Sequence, residues 1–171
     1  KNKLSFKKEP RISTEILPSS KEGLFRAAQL LNNGGLVAFP TETVYGLGAD
    51  ATNASAIEKI YKVKGRPNNN PLIIHAYDSN IAKHFAKMDK QAAILAKYFW
   101  PGPLTLVLKQ NAKVNIRISD RALARLQTVA IRIPVHPIAR RILNLCKNPI
   151  AAPSANISGK LSTTRFEDVL G

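Results

Sequence analysis

An α/β fold is what this sequence predicts, a sheet with helices packed on it. Apolar runs of five to seven residues, LVAFP, LIIHA, LTLVLK and TVAIRIP, read as strands. They alternate with segments whose apolar residues recur at helical spacing, and that alternation is the pattern of strands laid against helices. No clear helix separates the run at 104–109 from the run at 128–133, so part of the sheet is expected to be antiparallel.

The elements follow in order. Residues 1–18 read as a basic, extended lead-in, and residues 19–171 as one domain long enough to bury its own core. Ser19-x-x-Glu22 offers a capping box, Leu24, Ala27, Ala28 and Leu31 follow on one face, and Gly34-Gly35 ends the helix. LVAFP is a strand and TETVYGLGAD a loop. A helix over 54–63 carries Ile57, Ile60 and Tyr61 on one face. The polar connection KVKGRPNNNP leads into LIIHA. A helix over about 89–99 aligns Ala92, Leu95, Ala96 and Phe99, and WPGP stops it. HPIARRILNLC aligns Ile138, Ile142 and Cys146 on another helix. PIAAPSAN is a short strand running into a turn, and TTRFEDVLG begins a last helix.

Composition narrows the function. Lys plus Arg number 26 against 11 Asp plus Glu, a net charge of +15, which suits anionic partners or a lysine-rich solvated surface. No apolar run is long enough to span a bilayer, and the opening KNKLSFKKEP lacks the apolar core of a signal peptide. The single cysteine, Cys146, fits a reducing cytoplasm and reads as a small hydrophobe on a helix face.

Familiar site patterns are weak or missing. GLGADA matches a dinucleotide-loop pattern, but its first glycine does not follow a strand directly, and no carboxylate stands about 20 positions on. There is no phosphate-loop motif with a terminal Gly-Lys-Ser/Thr. His75, His84 and His136 have no metal-ligand spacing with one another or with Cys146, so no metal site is expected.

Three stretches say more. In TVAIRIP, Val129, Ile131 and Ile133 face one side of a strand and Thr128, Ala130 and Arg132 the other. Arg132 there could grip a carboxylate or phosphate, or sit in a surface ion pair. In PIAAPSAN, Ala151, Ala152 and Ser154 would let a ligand approach the backbone, with Ser154 and Asn156 as short donors. The same residues also suit a tight turn. In KVKGRPNNNP, Lys64 and Arg66 sit past a helix end, where cations complement the dipole. The asparagines beside them suit a second reading, a grip on a triphosphate.

PTETVYGLG at 40–48, KGRPNNNPL at 64–72, WPGPLTLVL at 100–108, VAIRIPVHP at 129–137 and APSANISG at 152–159 occur in that order. Together they resemble the YrdC-like threonylcarbamoyl-AMP synthase family over roughly residues 20–171. The resemblance implies an open, twisted mixed β-sheet with flanking helices and a positively charged concave face. It implies synthesis of threonylcarbamoyl-adenylate and pyrophosphate from L-threonine, bicarbonate or CO2, and ATP, with Mg²⁺ accompanying the nucleotide. Partner proteins would then transfer the threonylcarbamoyl group to tRNA.

Residue by residue, the resemblance places Thr43, His75, Arg132 and the backbone of Ala152 at L-threonine. It places Arg66, Asn70, Thr128, Ser154 and Ser162 at ATP, with Asn156 beside Ser154. Lys64 and Arg66 form the K-x-R pair expected to face phosphate and to act in catalysis. Glu42 is the nearest carboxylate and is expected only to orient its loop. Family members usually continue with further strands, so this chain is expected to be a truncated piece. Two other readings stay open: a module of the same fold that binds double-stranded RNA or tRNA without synthase activity, and a relative acting on another carbamoyl compound.

Overall fold

The computed structural model of the chain describes residues 14–111 and 116–170. Most of the basic lead-in therefore lies outside the described residues. Among those described, one sheet of six strands forms from β1 (Val37–Phe39), β2 (Gly46–Asp50), β3 (Ile73–His75), β4 (Leu106–Lys109), β5 (Thr128–Arg132) and β6 (Ile150–Ala151). Their spatial order is β1-β2-β6-β3-β5-β4. β3 and β5 are parallel, and the other neighbours are antiparallel, including β4 with β5 as the missing intervening helix suggested. The α/β class and the mixed sheet expected from the sequence are both present.

The helices are α1 (Lys21–Asn32), α2 (Ala54–Lys64), α3 (Ser79–Lys83), α4 (Lys90–Phe99), α5 (Pro137–Leu145) and α6 (Phe166–Leu170). The first five pack on the two faces of the sheet. Neighbouring residues of a strand point to opposite faces, and β6 shows both cores: Ala151 joins Ile57, Ile60, Ile74, Val129 and Ile131, whereas Ile150 joins Leu24, Leu31, Phe39 and Ile142. The first core lies under α2, α3 and α4, the second under α1 and α5. Each fully buried Ile or Leu contributes about 1.5–3 kcal/mol.

Several elements differ from expectation. The N-cap of α1 is Ser20, not Ser19; its hydroxyl accepts from the Gly23 amide at 3.2 Å. GLGAD is not a loop but β2. Its glycines are there for packing: a Cβ on Gly48 would stand 2.6 Å from the Phe39 ring and 2.9 Å from Ile150. The five-residue helix α3 was too short to read from periodicity. On α4 only Ala92 and Ala96 of the expected face are buried; Leu95 and Phe99 are exposed. Periodicity defines a helix face but not what covers it.

Two of the three histidines sit at helix ends. His136 caps α5 by accepting from the Ile138 amide at 3.2 Å, and His84 ends α3. Cys146 ends α5, half-buried, and burial pushes its thiol up to about 12. Among the described residues no helix is long and apolar enough to cross a membrane.

Gly48→Ala is expected to lower the unfolding free energy by about 1–3 kcal/mol through overpacking against Phe39. Urea denaturation checks this. A neutral result would mean that the ring can move aside.

Candidate active site

The parallel pairing of β3 with β5 puts His75 directly beside Arg132. Both lie on the sheet face away from Ile74 and Ile131, and both are buried. The loop between β1 and β2 closes over them. Its shape comes from Thr41, whose hydroxyl donates to the Val44 carbonyl at 2.6 Å and accepts from the Thr43 and Val44 amides at 3.3 Å. That turn aims Glu42 and Thr43 at Arg132. Arg132 Nη2 donates to Glu42 Oε1 at 2.8 Å and to Thr43 Oγ1 at 3.0 Å. The other Glu42 oxygen accepts from the Val135 amide at 3.2 Å.

The electrostatics follow from burial. A buried guanidinium is tolerated only with a paired charge, and Glu42 supplies it. Burial tends to raise the Glu42 carboxyl, but hydrogen bonding and charge from Arg132 outweigh it and hold the group below the usual glutamate range. His75 is pushed down to about 4, first by burial and then by the Arg132 charge, so its ring is neutral near pH 7. The ring stands nearly perpendicular to that of Phe39 at a centroid distance of 6.5 Å. His75 Nδ1 and Arg132 Nε are buried without hydrogen-bond partners. These unsatisfied groups, a neutral imidazole and a fixed cation make a receptor suited to a small polar anion.

A second group of residues lines a cleft of about 510 Å³: Lys64, Arg66, Asn70, Ser154, Asn156 and Ser158, with glycines and a proline between them. Gly65, at φ 58°, ends α2 in the left-handed conformation and turns the chain sharply. Arg66 folds back on its own loop, donating from Nε to Asn70 O at 3.2 Å and from Nη2 to Pro71 O at 2.9 Å. The Tyr61 hydroxyl supports the same loop, donating to Asn70 O at 2.8 Å. Asn156 Nδ2 donates to the carbonyls of Ile157 and Lys160 at 2.9 and 2.8 Å, which fixes the orientation of its amide. Among the described residues, no group of three or more His, Cys, Asp or Glu side chains could hold a metal ion.

The two groups share one piece of backbone. The Ala152 amide donates to Ile73 O at 3.0 Å beside the His75 and Arg132 cluster. Two residues later, Ser154 lines the cleft. The Sua5/YciO/YrdC domain family, described as telomere recombination, matches residues 29–171. The chain belongs to this family.

As a Sua5/YciO/YrdC protein it has close relatives with named activities. A threonylcarbamoyl-AMP synthase of Bacillus subtilis is 48% identical over 157 residues, 91% of this chain and 44% of that protein. One from Pyrococcus abyssi is 52% identical over 144 residues, 84% of this chain and 41% of that protein. The crystal structure of P. abyssi Sua5 complexed with L-threonine superposes with a TM-score of 0.83 at 47% identity, covering 88% of this chain and 43% of that one. The chain thus spans less than half the length of these relatives.

The sequence motifs of this Sua5/YciO/YrdC chain fall into place unevenly. Thr43, His75 and Arg132 come together, with Ala152 on the adjoining backbone. Lys64, Arg66, Asn70, Ser154 and Asn156 come together in the cleft. Thr128 and Ser162 are not among the residues lining it. Lys64 departs from a simple phosphate contact: it is buried, and its ammonium donates to the carbonyls of Ser154 and Asn156. Its own carbonyl accepts from the Ser158 amide at 3.0 Å. An ammonium has three N–H groups, so at most one is left for a ligand. Burial, followed by the charge of Arg66, pulls Lys64 down to about 8.

Ser158, whose buried hydroxyl has no partner, was not singled out from the sequence. Its place in APSANISG, four residues after Ser154, was the available signal.

Removal of the Lys64 ammonium should loosen residues 154–158. Lys64→Met is expected to cost about 2 kcal/mol or more of stability and to speed hydrogen exchange at the Ser158 amide. Unchanged protection there would show that the two carbonyl contacts do not hold the loop.

His75 gives a pH dependence of defined sign. Above pH 6.5 the ring is neutral in both the folded and the unfolded chain. Between about 6.5 and about 4 only the unfolded chain takes up the proton, so stability falls on acidification. The slope is at most about 1.4 kcal/mol per pH unit for one proton. His75→Asn is expected to flatten the upper part of that window in thermal melts; an unchanged profile would place the proton uptake elsewhere.

Proposed function

We propose that this chain forms L-threonylcarbamoyladenylate from L-threonine, CO2 or bicarbonate, and ATP, releasing pyrophosphate. The observation that carries the reading is the pairing of two receptors on one backbone segment. One is a buried Arg132 with neutral His75 and Thr43. The other is a cleft lined by cations, amides and hydroxyls. The first suits the carboxylate and hydroxyl of a small amino acid, the second the phosphates of a nucleotide. The similarity to threonylcarbamoyl-AMP synthases supports the same assignment.

In this reading threonine binds through Thr43, His75, Arg132 and the backbone at Ala152. Its neutral amine adds to CO2, giving a carbamate and releasing a proton. A carbamate oxygen then attacks the α-phosphorus of ATP, and pyrophosphate leaves. Arg66, Asn70, Ser154 and Asn156 hold the triphosphate, with Lys64 keeping the Ser154 loop in place. Mg²⁺ arrives with ATP as part of the substrate, and the cleft lining contains no carboxylate to bind it directly. The enzyme's contribution is positioning and charge stabilisation, with no need for a covalent nucleophile. Partner proteins transfer the product to tRNA, and the charge of +15 supports contact with RNA.

Pyrophosphate release is expected with L-threonine, ATP and bicarbonate together and not when threonine is omitted. Arg132→Ala is expected to weaken threonine binding by about 100-fold or more, since it breaks a buried charge pair, while ATP binding persists. Release independent of any amino acid would refute the synthase reading. Equal loss of both ligands would refute the role given to Arg132.

A further inference from the structure

We propose that Glu42 is the positioning residue of the amino-acid receptor. It holds the Arg132 guanidinium by one terminal nitrogen so that the other faces the substrate carboxylate. This rests on the reading that Thr43, His75 and Arg132 bind an α-amino acid.

The three nitrogens of Arg132 are used unequally. Nη2 carries both contacts to the loop, Glu42 Oε1 and Thr43 Oγ1. Nε is buried and unpartnered. Nη1 makes no hydrogen bond to a described residue and is absent from the fully buried unpartnered atoms, so it is the nitrogen a ligand can reach. Pairing at Nη2 alone fixes the plane of the guanidinium and leaves Nη1 presented.

Glu42 is well held for this task. Its second oxygen accepts from the Val135 amide, three residues beyond Arg132 on the same segment, so both oxygens are engaged within one rigid frame. The side chains of Arg132 and Glu42 are only 10% and 18% exposed, so water screens the pair little. Of the charged groups acting on Glu42, Arg132 is the one that lowers it, and His75 beside them is neutral.

Pairing of the charge has a chemical use. An unpaired carboxylate near the substrate amine would favour its ammonium form, which cannot attack CO2. With its charge matched by Arg132, Glu42 can order the receptor without adding a net negative charge beside the nucleophile.

The test is Glu42→Gln, with Glu42→Asp as the conservative variant. L-threonine binding is measured by calorimetry without ATP, and KM is measured for threonine and ATP. Glu42→Gln is expected to weaken threonine binding by tenfold or more, leave the KM for ATP within twofold, and shrink the preference for threonine over threonine amide. Glu42→Asp is expected to recover part of that preference and serves as the test if the Gln variant fails to fold. Unchanged threonine affinity, or an equal loss toward threonine and its amide, overturns the role. Tighter threonine binding also overturns it, because Glu42 would then be a competitor for Arg132. If the unaltered protein binds no amino acid, the substrate reading itself fails, and this role falls with it.

Discussion

Two residues of backbone pairing hold the middle of this molecule. β6 consists of Ile150 and Ala151, yet it is the strand that joins β2 to β3 and so connects the two halves of the sheet. Its side chains go to opposite cores, one under each layer of helices. The chain leaving β6 contributes Ala152 near His75 and Arg132, then Ser154, Asn156 and Ser158 to the cleft. Both receptors therefore take their spacing from the same short strand. So small a ladder relies on its surroundings, and Lys64 supplies a second attachment by holding the segment through its carbonyls.

The cations of the site have much of their hydrogen-bonding capacity committed inside the protein. Arg132 is neutralised by Glu42, His75 is uncharged, and Lys64 and Arg66 already donate to backbone carbonyls. The cations act largely as scaffolding that turns the loops into the required shape. For the buried Arg132 and Lys64 this is physically sensible, because a buried charge without hydrogen-bond partners costs several kcal/mol. A few directed donors are left over for a ligand.

Much of this arrangement was legible in the sequence. The alternating face of TVAIRIP separated Ile131 from Arg132 correctly, and the missing helix after LTLVLK foretold an antiparallel strand. Thr43, His75 and Arg132 lie far apart in the sequence, and the motifs of the family resemblance are the signal that groups them. GLGAD is a strand despite the low strand propensity of glycine and aspartate; the close approach of the Phe39 ring and Ile150 is what calls for glycine there. The partners of Lys64 lie 90 and 92 residues away, beyond the reach of any local pattern. The same holds for Arg132 and Glu42, 90 residues apart. Local spacing can identify a cation but not the carbonyl or carboxylate that will occupy it.

Cys146, at the end of α5, has a practical corollary. Thiolate is the reactive form of cysteine, and a thiol pushed up to about 12 supplies almost none near neutral pH. As the one cysteine of this sequence, it is expected to react slowly with thiol reagents. An exposed cysteine introduced on the rim of the cleft would react faster, so a fluorophore or spin probe could report on the loops around the cleft with the native residue in place.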